Sequence, residues 1–168
     1  WLHQKQASSF GEMTNLPAAL RRELERRAKI APVSARLKLE SALDGTRKFL
    51  FELEDGNCVE TVWMEYHHGP SLCVSTQVGC RMGCRFCAST LGGLVRNLTP
   101  GEMLGEVYEA QRQMGRPISS LVLMGIGEPL DNFENVMKFL EILSSPQGQN
   151  LSLRHVSLST CGLVDGIR

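Results

Sequence analysis

Apolar and polar side chains alternate along residues 33–66, and from residue 71 the pattern changes to short apolar runs separated by amphipathic segments of helical length. A two-residue period marks half-buried strands, whereas apolar positions spaced by three and four mark helices packed on one face. Arg47-Lys-Phe-Leu-Phe-Glu-Leu-Glu54 and Cys58-Val-Glu-Thr-Val-Trp-Met-Glu-Tyr66 flank Asp55-Gly56-Asn57, a turn signal, so a hairpin within a β-meander is predicted over 33–66. In its second strand Val59, Thr61, Trp63 and Glu65 share one face, and Cys58, Glu60, Val62, Met64 and Tyr66 the other. Glu60 is the odd residue, a carboxylate interleaved with apolar neighbours. Its simplest account is the solvated edge of a small sheet. Cys58 has no partner at metal-ligand spacing and reads as a packed or spare thiol.

From residue 71 strands and helices alternate. Ser71-Leu-Cys-Val-Ser-Thr-Gln-Val78 predicts a strand. Leu98-Thr-Pro-Gly-Glu102 carries a capping box, with Thr99 as N-cap, Pro100 at the first helical position and Glu102 three residues on, so a helix is expected over 100–114. Ser119-Ser-Leu-Val-Leu-Met-Gly125 is the continuous apolar run of a strand buried in a parallel sheet. A second helix is predicted near 133–145, with Phe133, Val136, Met137, Leu140 and Leu143 at helical spacing, followed by a third strand at Leu153-Arg-His-Val-Ser-Leu-Ser159. This repetition predicts an α/β fold of right-handed βαβ units, too few to close a barrel. Upstream, residues 14–29 predict a basic helix with Asn15 as cap, Pro17 in the first turn and Leu16, Leu20 and Leu24 on one face. Its arginines form either a solvated face balanced by Glu23 and Glu25 or a phosphate-contacting patch. Three parts follow: a helical segment at 1–32, the meander at 33–70, and the incomplete βα region at 71–168.

The first strand runs into Gly79-Cys-Arg-Met-Gly-Cys-Arg-Phe-Cys87, where Cys80, Cys84 and Cys87 form C-x3-C-x2-C. Three thiolates on one short loop can bind three irons of a four-iron, four-sulfur cube and leave the fourth open to a small molecule. Gly79 and Gly83 allow the loop to wrap closely, and Phe86 can shield a cluster face. No second Cys/His pair follows, as a zinc knuckle would require. The alternative is a structural zinc site completed by Cys73, His67 or His68. Between the second strand and its helix, Met124-Gly-Ile-Gly-Glu-Pro-Leu-Asp131 brings backbone groups and Glu128 to a strand's C-terminal end, a setting suited to an ammonium group. Ser159, ending the third strand, faces the same mouth and can hydrogen-bond a carboxylate or ribose.

Composition adds bounds. Lys+Arg and Asp+Glu both number 18 in 168 residues, so net charge alone does not argue for a nucleic-acid partner. There is no apolar run long enough to cross a membrane and no secretory pattern at the N-terminus. Three of the six cysteines fall within eight residues, which points to metal chemistry in a reducing cytoplasm rather than to disulfides.

Cys80, Cys84 and Cys87 match the cluster motif of radical S-adenosylmethionine enzymes, and Gly125-Ile-Gly-Glu-Pro129 resembles their methionine-amine-binding segment. More narrowly, Leu72-Cys-Val-Ser-Thr-Gln-Val-Gly-Cys80, Arg96-Asn-Leu98, Gly127-Glu-Pro-Leu130 and Leu158-Ser-Thr160 resemble the RlmN family, and Trp1-Leu-His and Glu12-Met-Thr-Asn-Leu-Pro17 resemble its N-terminal accessory domain. The resemblance implies a partial radical SAM (βα) barrel and a methyltransferase acting on adenosine C2 in 23S rRNA and tRNA. It implies a [4Fe-4S] cluster on Cys80, Cys84 and Cys87, and S-adenosyl-L-methionine contacted by Gly127, Glu128 and Ser159. It also implies a catalytic role for Cys73, which resolves a covalent RNA–protein intermediate and leaves a disulfide, and for Glu60 as a general base near the adenine. An electron donor such as flavodoxin or ferredoxin and a monomeric, cytoplasmic state are implied as well. Cys161 lies outside the family's functional positions and reads as structural. The family's methyl-carrying cysteine belongs to a later part of its fold than Arg168, so a fragment unable to turn over alone is expected. The close relative acting at adenosine C8 shares these positions, and a zinc-stabilised RNA-binding module is the rival from another class.

Overall fold

The computed structural model describes residues 2–5, 7–30 and 33–168. The expected boundary between residues 32 and 33 falls beside residues 31 and 32, which lie outside the described residues, as does Trp1. In chain order the described helices are α1 (Leu2–Lys5), α2 (Ala18–Arg27), α3 (Pro100–Met114), α4 (Phe133–Ser144) and α5 (Val164–Ile167). The strands are β1 (Val33–Glu40), β2 (Arg47–Leu53), β3 (Cys58–Tyr66), β4 (Gly69–Cys73), β5 (Gln77–Gly79), β6 (Leu94–Asn97), β7 (Ser120–Leu123) and β8 (Val156–Leu158).

The meander is β1-β2-β3, antiparallel throughout, with a register shift in β1 between Ala35 and Leu37. β4 pairs antiparallel with β3 and parallel with β7, and β7 pairs parallel with β8. Meander and βα units therefore share one open six-stranded sheet, ordered β1-β2-β3-β4-β7-β8. The expected alternation in β3 holds: Val59, Thr61 and Trp63 are fully buried while Cys58, Glu60, Val62 and Met64 are half-buried. The buried face also carries Phe49, Phe51, Leu72, Leu121 and Leu123, and the core continues into Met103 and Val107 of α3. The α3 capping box is complete, with the Thr99 side chain accepting from the Glu102 N–H at 3.2 Å and the Thr99 N–H donating to Glu102 at 2.8 Å. Gly115 ends the helix in the left-handed region at φ 68°.

Four expectations change. The strand expected over 71–78 ends at Cys73: the Val74 N–H still reaches the Val122 carbonyl at 3.0 Å, but Thr76 and Gln77 then donate to Ile126. The chain thus follows the Gly125–Gly127 turn and re-forms as β5, paired with the unexpected β6 in a two-stranded sheet. Helix α2 starts at Ala18 with Pro17, not Asn15, in the capping place. No residue of α2 is buried, Arg26 and Arg27 pair with Glu23, and the leucine stripe stays accessible. On α4 the buried residues are Val136, Phe139 and Leu143, with Phe133 and Met137 exposed, because α3 covers a flank rotated from the expected one. The third strand is shorter than expected and follows a 3-10 turn at Leu153–His155.

Candidate functional site

β5 and β6 are the two legs of a hairpin whose long tip is the cysteine loop. The Cys80 N–H donates to the Gly93 carbonyl at 3.0 Å, closing the base. Gly79 is required there: its φ is +72°, and a Cβ would sit 2.0 Å from the Gly93 carbonyl oxygen. Within the loop the Cys87 N–H donates to the Cys84 carbonyl at 3.0 Å, and the Thr90 hydroxyl donates to the Cys87 carbonyl at 2.9 Å. Arg81 is ion-paired with Asp131 in the 3-10 turn just before α4. Arg96 of β6 donates to both Glu102 carboxylate oxygens and, at 2.6 Å, to Asp55 of the β2–β3 turn, so the hairpin is fixed to α3 and to the meander together.

The Gly125–Glu128 turn packs against the base of this hairpin with no room for a side chain at either glycine. A Cβ on Gly125 would lie 2.6 Å from the Val74 carbonyl oxygen, and one on Gly127, at φ +109°, within 2.8 Å of Gln77 and Thr76. Buried Gln77 links the pieces: its carbonyl oxygen accepts the Glu128 N–H at 2.9 Å, and its amide donates to Asn97 and Asp131. Buried Asn132 donates to the Thr76 and Leu98 carbonyls, both at 2.8 Å. Gln77 was read only as part of a motif, and Asn132 escaped notice in the sequence. Long side chains that satisfy backbone groups across a fold carry no local signal.

One cavity of about 350 Å³ opens between the cysteine loop and the ends of β7 and β8. Cys80, Cys84, Cys87, Gly127, Glu128 and Ser159 all line it, together with Phe86, Met124, Thr160 and Cys161. Glu128 is buried; burial pushes its carboxyl up, but hydrogen bonds from the Cys161 and Leu130 N–H groups and the Thr160 side chain outweigh that and hold it below the usual carboxylate range. It is ionised at neutral pH and faces the cavity as an anion. Cys161, expected to be structural, is instead an exposed thiol on the cavity wall.

Cys73 and Glu60 stand apart from that cavity. Cys73 pairs in register with Val62, two residues beyond Glu60 on β3, so both side chains belong to the sheet face opposite α3. Burial pushes the Cys73 thiol up, and nearby Glu106 adds to this against a hydrogen bond from the Met124 N–H. The Glu60 side chain is half exposed and ion-paired with Lys48 at 2.5 Å; β3 lies between β2 and β4, so Glu60 is on a solvated sheet face and not at the edge expected. His67 and His68 lie at the β3–β4 turn, where His68 stacks on Tyr66, and neither lines the cavity. All six thiols are free, so no two of them form a disulfide.

No three His, Cys, Asp or Glu side chains among the described residues converge closely enough to hold a single metal ion. Three thiols spread around one cavity do suit an iron–sulfur cube, whose irons occupy separate corners. The fit extends to the rest of the wall: the buried Glu128 carboxylate and the close-packed glycines of its turn face the thiols across a space open to a small molecule. Among the described residues no helix is long and apolar enough to cross a membrane.

The family model described as the radical SAM superfamily matches residues 74–167, and that of the ribosomal RNA large subunit methyltransferase N-terminal domain matches residues 1–30. A probable dual-specificity RNA methyltransferase RlmN from Lachnoclostridium phytofermentans is 54% identical over 168 residues, 100% of this chain and 47% of that protein. One of the same description from Clostridioides difficile is 52% identical over 164 residues, covering 98% of this chain and 48% of the relative. The chain thus spans about half the length of the curated relatives it matches. The crystal structure of a radical SAM methyltransferase from Sphaerobacter thermophilus superposes with a TM-score of 0.92 at 40% identity, over 99% of this chain and 50% of that one. From the cysteine loop, the glycine–glutamate turn and these matches, the chain belongs to the radical SAM superfamily, on its RlmN branch.

Proposed function

We propose that this chain is the cluster- and cofactor-binding part of an RNA methyltransferase that modifies adenosine C2 in 23S rRNA and tRNA. The observation that carries the reading is the single cavity shared by the Cys80-Cys84-Cys87 loop, Gly127, Glu128 and Ser159. Cys80, Cys84 and Cys87 would hold a [4Fe-4S] cluster. When bound, that group would supply one electron to S-adenosylmethionine, opening the radical chemistry that an electrophilic amidine carbon such as adenine C2 requires.

The protein residues bind and orient. Gly127 lets the turn backbone approach the methionine part, the Glu128 carboxylate accepts its ammonium, and the Ser159 hydroxyl donates to its polar groups. Cys73, kept as a thiol by burial, would lose its Sγ proton and attack the sulfur of a covalent RNA–protein intermediate, forming an S–S bond as the bond from that sulfur to the carbon on the base breaks. Glu60 would take a proton from the adenine after exchanging Lys48 for the base. The relatives' names, which specify RNA methyltransferases, support the substrate class. A chain spanning half of such a relative is expected to bind the cofactor without turning over alone.

Anaerobic reconstitution followed by EPR of the reduced protein tests the reading. A cluster signal that shifts on adding S-adenosylmethionine is the expected result. One bound zinc without labile sulfide would overturn it in favour of a zinc-stabilised RNA-binding module. Formation of 2-methyladenosine by the purified chain would overturn the claim that it cannot turn over by itself, and 8-methyladenosine the choice of C2.

A further inference from the structure

The cavity wall holds a fourth thiol that the proposed chemistry does not use. Cys161 follows β8 and lines the same cavity as Cys80, Cys84 and Cys87, whereas Cys58 and Cys73 do not. Its place is fixed by two contacts. The Cys161 N–H donates to Glu128 Oε2 at 2.7 Å, and the next residue, Gly162, at φ +95°, donates its N–H to the Thr160 hydroxyl at 3.0 Å. The Glu128 carboxylate beside it pushes the Cys161 thiol up, and Cys84 lines the same cavity wall.

We propose that Cys161 is an exchangeable fourth ligand, capping the open iron of the cluster until S-adenosylmethionine displaces it. The inference rests on the cluster reading above. Soft thiolate is the donor type iron–sulfur clusters prefer. The exchange is balanced and involves no change of oxidation state. As the Cys161 Sγ–Fe bond forms, the thiol proton leaves to Glu128 or solvent. As the methionine carboxylate oxygen and amino nitrogen bind iron, the ammonium gives up one proton, the Sγ–Fe bond breaks and the departing Cys161 thiolate takes that proton. Glu128 lies at the centre of the competition, since it holds the Cys161 segment and would also accept a hydrogen bond from the cofactor's amino group. A thiolate cap would give the cofactor-free cluster a complete cysteine shell and shield it from loss of iron.

Reconstituted wild-type chain and the Cys161→Ser and Cys161→Ala variants provide the test. Cys161 is exposed, so the fold should tolerate both changes. The cofactor-free EPR spectrum of the reduced cluster is expected to differ between wild type and both variants, while the cofactor-bound spectra coincide. Removing the competing ligand should also tighten S-adenosylmethionine binding about 3- to 10-fold, because the binding-competent open site is then always populated. Coincident cofactor-free spectra, or weaker cofactor binding by the variants, would overturn the capping role and leave the cluster reading intact. A wild-type chain that assembles no iron–sulfur cluster would overturn both.

Discussion

Beneath α3 the sheet buries Phe49, Phe51, Val59, Trp63 and Leu72 completely, whereas the cysteine loop at the cavity leaves Phe86 93% and Leu91 88% exposed. The first region is a dry layer in which every second residue of a strand meets a helix. The second is a loop pinned at its base by backbone contacts, with thiols and a carboxylate turned toward an open space. The difference separates the sources of stability from the sources of chemistry. Substitutions under α3 should change folding with no direct effect on cluster chemistry, and those in the loop should do the reverse.

The largest stability effect is expected at Trp63. Its ring is fully buried, its indole N–H donates to Glu65 at 2.8 Å, and Arg116 lies over its face at 5.7 Å. Trp63→Ala should cost about 3–5 kcal/mol in urea unfolding of the apo chain. A cost below about 1 kcal/mol would mean that the layer does not carry the fold.

Glu106 sharpens the comparison, because it is a carboxyl group inside the dry layer. It is fully buried, accepts from the Thr61 hydroxyl at 2.5 Å and the Ser75 N–H at 3.0 Å, and leaves Oε1 without a partner. Burial raises its pKa to about 8. The folded chain therefore keeps this proton where the unfolded chain has lost it. Its stabilising effect is full below the ordinary glutamate value and is lost as pH rises toward 8, by up to about 1.4 kcal/mol per pH unit. Glu106→Gln preserves an acceptor for Thr61 and Ser75 and should flatten that slope between pH 5 and 8. An unchanged urea midpoint profile in the variant would show that Glu106 is not the titrating group.

Next comes Gly127, at the border of the two regions. Its φ of +109° and the contacts awaiting a Cβ both oppose a side chain. Gly127→Ala is expected to cost about 1–3 kcal/mol and to weaken S-adenosylmethionine binding by the reconstituted chain. Gly56, at φ +81° in the β2–β3 turn, has nothing within 4 Å of where a methyl group would sit and serves as the control, with about 1 kcal/mol lost and binding unchanged. Equal effects at the two glycines would remove close packing as the reason for Gly127.

What was legible in the sequence follows the same division. The α3 capping box, the Asp55-Gly56-Asn57 turn and the faces of β3 are local patterns, and each appears as read. The cysteine loop and the Gly-Glu turn were visible as motifs, and the structure brings them to one cavity. β6 was not visible, because Leu94-Val-Arg-Asn97 is too short to show a period and becomes a strand only by pairing with β5. On α4, Phe139 rather than Met137 turned inward, since a helix with apolar residues around more than one face leaves the choice to its neighbour. Cys161 offered no spacing signal either. Its relation to the cluster cysteines comes from the order of β4, β7 and β8 in the sheet.

The smallest stability effect, and the sharpest test of the contrast, belongs to Cys84. It is half-buried in the loop and outside the hydrophobic core, and its backbone carbonyl, not its sulfur, accepts the loop hydrogen bond from Cys87. Cys84→Ser removes one soft ligand while keeping size and backbone contacts. The apo chain should unfold within about 0.5 kcal/mol of wild type, as substitutions away from the core generally do. The reconstituted chain should nevertheless fail to retain a stable four-iron cluster, measured by iron and labile sulfide per chain. If apo stability fell as far as in Trp63→Ala, the loop would be part of the folding core and the division between the two regions would fail. If the variant kept a full cluster, Cys84 would not be one of its ligands. A chain that loses its cluster and keeps its stability shows that the fold presents the thiols without depending on them.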